Sequence, residues 1–135
     1  MNTVQLSFPN NIFDVVVCIQ NGISAFHVNQ KKIILESLRV TKPNGIVLFS
    51  SYSEKFWNDR LEWFQLQSNA GLLGEIDFEK TRDGIIECKD GFTATTVGID
   101  QFRVLTSNID SVIVNIEEVD ESSLFCEIIH HDKKL

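Results

Sequence analysis

Candidate ligand-binding side chains follow the first of two predicted strands and end the second. The segment 20–27, Gln-Asn-Gly-Ile-Ser-Ala-Phe-His, comes directly after the apolar run Phe13–Ile19, and Tyr52 follows the run Ile46–Ser51. In open α/β sheets ligands bind beyond the carboxyl ends of the strands. We therefore expect these residues to lie at the sheet edge where the chain meets a cofactor or a substrate.

Two of these positions also have a purely structural interpretation. Asn21 and Gly22 would form a tight turn whether or not a ligand binds there, since both tolerate the backbone of such turns. His27 is interpreted as a residue at the start of a helix rather than as a general base. Both interpretations stay open beside the ligand-binding one.

The sequence contains no catalytic triad, paired-carboxylate motif or phosphate-binding loop. Cys18, Cys88 and Cys126 are odd in number, lack a C-x-x-C pair and have no histidine at ligand spacing, so we interpret them as reduced thiols. His130 and His131 are adjacent and would point in opposite directions on a strand. We predict no metal site and assign no catalytic side chain.

A strand, a crossover helix and a second strand position the candidate residues. The run Phe13–Ile19 is apolar and β-branched, which is typical of a parallel strand buried on both faces. Residues 30–41 repeat apolar side chains with a helical period, and Asn29 is the expected N-cap. The sequence Lys42-Pro43-Asn44-Gly45 predicts a turn before the second strand, Ile46–Ser51. Together these features predict a βαβ unit.

The remaining chain predicts a helix, an antiparallel excursion, a short helix and a closing hairpin. The helix from Glu54 to Gln67 carries an aromatic stripe that we interpret as core, and Arg60 is placed among the polar residues between its members. The other predicted elements are the Ser53 N-cap, a helix stop at 69–71, a β meander over 75–97, a helix over 99–107, and strands 111–119 and 122–129 joined at Asp120-Glu121.

Composition is that of an ordinary globular protein. The 135 residues are 43% hydrophobic and 23% charged, which fits one α/β domain over residues 1–135. A net charge of −7 argues against binding of nucleic acid, which requires clustered basic residues. No apolar run is long enough to span a membrane and no signal peptide is recognised, so we expect a cytoplasmic protein.

Two segments carry a resemblance to a known family. The residues Leu6-Ser7-Phe8-Pro9-Asn10-Asn11-Ile12-Phe13-Asp14, and Leu38-Arg39-Val40-Thr41-Lys42-Pro43-Asn44-Gly45, resemble the segments before the fourth and fifth strands of class I S-adenosylmethionine-dependent methyltransferases. The sequence departs from that pattern at Ser7, Thr41 and Asn44. Asparagine tolerates a left-handed backbone, so the turn at Asn44 should be retained.

The resemblance implies a partial Rossmann-like sheet with a C-terminal antiparallel hairpin, in which 75–97 is an inserted meander. It implies S-adenosylmethionine as the cofactor, lined by residues that match Cys18, Ile19 and Gln20, with Asn2 and Thr3 near the adenine. Asn21, His27 and Tyr52 would lie on the substrate side. Intact relatives would methylate a small molecule or another, unidentified acceptor.

The glycine-rich loop through which this family chiefly binds its cofactor is missing from the sequence. None of the seven glycines is separated from another by a single residue, so no Gly-x-Gly-x-Gly occurs. We expect the chain by itself to bind S-adenosylmethionine weakly or not at all.

The strand 13–19 would then be an edge strand that pairs with a second copy or belongs to a longer protein. The alternative is a non-catalytic α/β interaction or dimerisation module.

Overall fold

The computed structural model describes residues 6–19, 29–82 and 84–131. The strands are β1 (Phe13–Cys18), β2 (Thr41–Tyr52), β3 (Ile86–Glu87), β4 (Thr93–Ala94), β5 (Val112–Val119) and β6 (Ser123–His130). The α-helices are α1 (Gln30–Val40), α2 (Trp57–Asn69) and α3 (Ile99–Thr106), and a 3-10 turn, Glu54–Phe56, precedes α2. Among these residues no helix is long and apolar enough to cross a membrane.

Strands β1 and β2 run parallel and are hydrogen-bonded neighbours. Val15 pairs with Ile46 and Val16 with Val47, and α1 connects the two strands. Strands β5 and β6 form an antiparallel hairpin that adds to the other side of β2, which gives the order β1-β2-β6-β5. The predicted βαβ unit and closing hairpin are therefore confirmed.

Helix α1 begins as predicted. The Asn29 side chain accepts hydrogen bonds from the amides of Lys31 at 2.9 Å and Lys32 at 3.3 Å, which satisfies two donors of the first turn. The helix buries Ile33, Ile34 and Leu38 against the sheet.

The last turn of α1 holds the segment before β1. Arg39 donates to the carbonyl oxygens of Leu6 and Phe8 and forms an ion pair with Glu36. Glu36 in turn accepts from the amide of Leu6 at 2.7 Å. This network joins residues 6–10 to the helix.

The turn predicted at residues 42–45 is part of strand β2, so that boundary was wrong. Strand β2 begins at Thr41, immediately after α1, and Asn44 has the predicted left-handed backbone with φ of 63°. The pairing with β1 shifts register between Phe13 and Val15. Phe13 pairs with Thr41 before the turn residues, which interrupt the ladder as an irregularity that sequence patterning did not predict.

One face of the sheet is covered and the other is open. Helices α1 and α3 pack over a core that includes Val47, Phe49, Cys126 and Ile128. On the opposite face Val15 is 56% exposed, Val17 54% and Ile113 48%. The prediction that strand 13–19 is buried on both faces is therefore wrong. The expected edge position is confirmed, because β1 pairs only with β2 in the described part of the chain.

A second, smaller core lies beneath α2. Phe64 packs there with four residues of the 75–97 segment, Ile76, Ile86, Cys88 and Ala94. Strands β3 and β4 form a two-stranded antiparallel sheet of their own. The helix prediction placed Trp63 in the core, but it is 50% exposed and reaches this cluster through a T-shaped contact with the Phe64 ring, at 5.9 Å between centroids.

Candidate ligand-binding site

A cavity of about 470 Å³ opens beside the carboxyl end of strand β2. The chain leaves β2 through Tyr52 and turns at Ser53 into the 3-10 turn. The Ser53 side chain accepts from the amide of Lys55 at 3.2 Å, which confirms Ser53 as the cap. The cavity is lined by Ser53, Glu54, Trp57, Arg60, Gly84, Thr96 and Gln101.

Two hydrogen bonds hold the opposite wall of the cavity in place. The amide of Val97 donates to the Ser51 hydroxyl at 3.0 Å, which joins the start of α3 to the end of β2. The amide of Gly98 donates to the side chain of Gln101 at 2.6 Å. A Cβ at Gly98 would lie 2.6 Å from Oε1 of Glu54 and 2.7 Å from Oε1 of Gln101, so a larger residue here would require both side chains to move.

Arg60 forms the floor of the cavity, and its side chain is fully buried. Its guanidinium donates to the Thr96 hydroxyl and, at 2.9 Å, to the carbonyl oxygen of Thr95. The guanidinium carbon lies 4.0 Å from the centroid of the Tyr52 ring and 5.6 Å from that of Phe64. Arg60 thus links the 95–96 segment, through hydrogen bonds, to the rings of Tyr52 and Phe64, through cation–π contacts.

The charge of Arg60 has no acidic partner within the described residues. The ion pairs found there do not include Arg60, and its Nε atom has no hydrogen-bond partner. Burial lowers the pKa of Arg60 to about 10, and Tyr52 acts in the opposite direction. The side chain is still cationic at pH 7. A buried cation without a carboxylate is costly, so this position is electrostatically set up for an anion.

Of the predicted site residues, the structure brings Tyr52 to this cavity region. Its ring is half-buried, stacks on Phe56 with centroids 6.3 Å apart, and lies beneath Arg60. Cys18 is half-buried and packs on the main core, while Ile19 is 47% exposed. Both lie at the same edge of the sheet as the end of β2, since β1 and β2 are parallel. Neither is among the described residues that line the cavity.

The other predicted site residues, Asn2, Thr3, Gln20, Asn21 and His27, lie outside the described residues. Within the described ranges, no cluster of three or more His, Cys, Asp or Glu side chains could hold a metal ion.

Sequence reasoning missed Arg60, Thr96 and Gln101. For Arg60 a signal was present, because it lies four residues from both Phe56 and Phe64 and so shares their face of a helix. No comparable signal exists for Thr96 and Gln101, which reach the site through contacts distant in sequence.

Comparison with known proteins agrees with this architecture. A family model described as a methyltransferase domain matches residues 1–49. The probable methyltransferase PMT28 of Arabidopsis thaliana is 34% identical over 55 residues, which are 41% of this chain and 8% of that protein. These matches support the resemblance of the chain to class I S-adenosylmethionine-dependent methyltransferases.

Solved structures share the fold of this chain. A SAM-dependent methyltransferase from Methanosarcina mazei is 20% identical, with a TM-score of 0.55, 95% of this chain covered and 63% of the other. The PH0226 protein from Pyrococcus horikoshii is 18% identical, with a TM-score of 0.65 and coverages of 96% and 60%. DhpI, in its complex with SAM and HEP, is 17% identical, with a TM-score of 0.53 and coverages of 95% and 55%.

The chain therefore spans 8% of the length of its curated relative and between 55% and 63% of these three structures. The predicted family and the predicted Rossmann-like fold class are both confirmed. S-adenosylmethionine is the cofactor of this family.

Proposed function

We propose that this chain is the C-terminal part of a methyltransferase domain that transfers a methyl group from S-adenosylmethionine to a small molecule. The order β1-β2-β6-β5, with one parallel pair and an antiparallel hairpin, carries the proposal, since it matches the family half that the sequence motifs indicate. The net charge of −7 supports a small acceptor rather than a nucleic acid. The free thiols of Cys88 and Cys126 suit a reducing cytoplasm.

The residues at the end of β1 fit part of the cofactor. Ile19 is 47% exposed and offers an apolar surface at the carboxyl edge, next to the half-buried Cys18. Together with Gln20 they would contact the cofactor, and Asn21, His27 and Tyr52 would face the acceptor. The cofactor supplies an already activated methyl group, so the protein has to align the acceptor with it and exclude water.

These contacts are too few for tight binding by the chain alone. We expect isothermal titration of the purified chain with S-adenosylmethionine to yield a dissociation constant weaker than about 1 mM, which corresponds to about 4 kcal/mol. A micromolar constant would contradict the proposal that further structure is required.

The reading frame upstream of Met1 tests the proposal independently. If it encodes a Gly-x-Gly-x-Gly loop after a predicted strand, we expect the longer protein to bind S-adenosylmethionine and to transfer its labelled methyl group to small-molecule acceptors. If the upstream frame is closed, the proposal that the chain is part of a longer methyltransferase domain fails. The non-catalytic module is then favoured.

The open edge of β1 favours dimerisation as a second candidate function. Edge strand β5 carries Asn115, Glu117 and Glu118, whereas the only charged residue in β1 is Asp14. Charged side chains protect edge strands from pairing, so β1 is the less protected edge. In antiparallel pairing of two β1 strands centred on Val16, each Asp14 would face Cys18 of the partner subunit, so that no like charges would face each other.

We expect sedimentation equilibrium between 1 and about 100 µM to detect a dimer that the double variant Val15→Lys, Val17→Lys abolishes. The matched control is Ile113→Lys, which changes an equally exposed residue of the same face on β5. A wild-type monomer throughout this range, or equal loss of dimer in the control, would exclude dimerisation through β1.

A further inference from the structure

We propose that the cavity above Arg60 binds a small monocarboxylic acid with an apolar body, and that Arg60 anchors its carboxylate. The inference rests on the proposed function in one respect, which is that the bound compound would be the methyl acceptor. It starts from a buried guanidinium that lines a cavity and lacks an acidic partner among the described residues.

The hydrogen bonds of Arg60 leave donors for a ligand. A guanidinium has five N–H groups in a planar fork, a geometry that matches a carboxylate. The fork donates to Thr96 and to the carbonyl of Thr95, and among the described residues the buried Nε atom has no hydrogen-bond partner. These two contacts fix the orientation of the fork without neutralising its charge.

The charges around the cavity favour a monoanion over a dianion. One guanidinium neutralises one negative charge, so the second charge of a phosphate dianion would stay uncompensated in the cavity, with Glu54 at the rim adding repulsion. Trp57 is half-buried and supplies an aromatic wall for an apolar body. The cavity volume of about 470 Å³ lies within the range of small-molecule sites, which is about 300–1,000 Å³.

The side chain of Arg60 is covered although it lines the cavity, so a carboxylate reaches it only after a local movement. A purely structural role for Arg60 would require neither this movement nor a ligand, and the experiment distinguishes the two roles.

The test is an NMR titration of the full chain without cofactor, which observes the Nε–H resonance of Arg60. With phenylacetate we expect a saturable shift of that resonance and a dissociation constant of about 1–10 mM. The neutral isostere phenylacetamide should leave the resonance unchanged, and phenyl phosphate should bind at least about tenfold more weakly because of its uncompensated second charge and Glu54. The Arg60→Lys variant assigns the resonance and should lose the other shifts caused by phenylacetate.

Arg103→Lys is the matched control, because Arg103 is exposed on α3 and does not line the cavity. This variant should titrate like the wild type. The proposal is overturned if phenylacetate produces no saturable shift, if phenylacetamide produces the same one, or if phenyl phosphate binds as tightly. The comparison of phenylacetate with phenylacetamide on the wild-type chain remains a valid test even if Arg60→Lys does not fold. It is also independent of whether a longer protein transfers methyl groups.

Discussion

At the scale of single residues, the fold depends on a few charged groups with specific partners. Arg60 belongs to the polar positions of its helix by sequence, yet it is buried because Tyr52, Phe64 and the 95–96 backbone surround it. Glu36 and Arg39 instead stay near the surface and join the segment before β1 to α1. In both cases hydrogen bonds reach residues 30 or more positions away in sequence.

We predict that Glu36→Gln lowers stability at pH 7 and that this loss shrinks in acid. Hydrogen bonds from Arg39 lower the pKa of Glu36 below its usual 4.5, although burial opposes the shift, and the Leu6 amide adds to the lowering. A carboxylate whose pKa is lowered by folding stabilises the protein above its unfolded pKa. That contribution is lost as the pH falls through the lower folded pKa.

Urea denaturation at pH 7 and at about pH 3 measures this difference. Glu62→Gln, on the exposed side of α2, is the control and should change stability by less than about 0.5 kcal/mol. A loss for Glu36→Gln that is equal at both pH values would refute the assigned role.

At the scale of elements, strand β2 passes close to strand β1 at Gly45, just after the junction with α1. A Cβ at Gly45 would lie 2.6 Å from Cγ2 of Thr41 and 2.7 Å from the carbonyl oxygen of Asp14. The second contact is with the backbone of β1, which cannot move without disturbing the register. The sequence pattern assigned this glycine to a turn, whereas its role in the structure is close packing of the β1–β2 pair.

Gly45→Ala should therefore destabilise the protein by about 1–3 kcal/mol through overpacking. The matched control is Gly74→Ala, whose Cβ would meet only the carboxylate side chain of Asp90, which can rotate away. We expect the control to cost less than about 1 kcal/mol in the same denaturation experiment. Equal costs for the two variants would mean that the approach to Asp14 is unimportant.

At the scale of the whole molecule, the sheet has one covered face and its strands differ in the number of their neighbours. Strands β2 and β6 pair on both sides, whereas among the described residues β3 and β4 form a separate two-stranded sheet with two paired residues each. Opening of a strand breaks its pairings, so local stability should follow the number of neighbours.

Hydrogen exchange should show this hierarchy. We predict that amides of β2 and β6 exchange at least about tenfold more slowly than those of β3 and β4, a difference of about 1.4 kcal/mol in opening free energy. Mass spectrometry of peptic peptides, or NMR, measures these rates. Uniform protection across the four strands would indicate one cooperative unit and contradict the prediction.

The amino-acid sequence by itself determined the local elements and the family resemblance. Caps such as Asn29 and Ser53 and the runs of β1 and β2 are encoded by neighbouring residues, as are the motifs at 6–14 and 38–45. Only the tertiary structure decided which sheet face is covered, that Arg60 is buried, and that the 95–101 segment completes a cavity. These features depend on contacts between distant segments, which periodicity and local propensity do not encode.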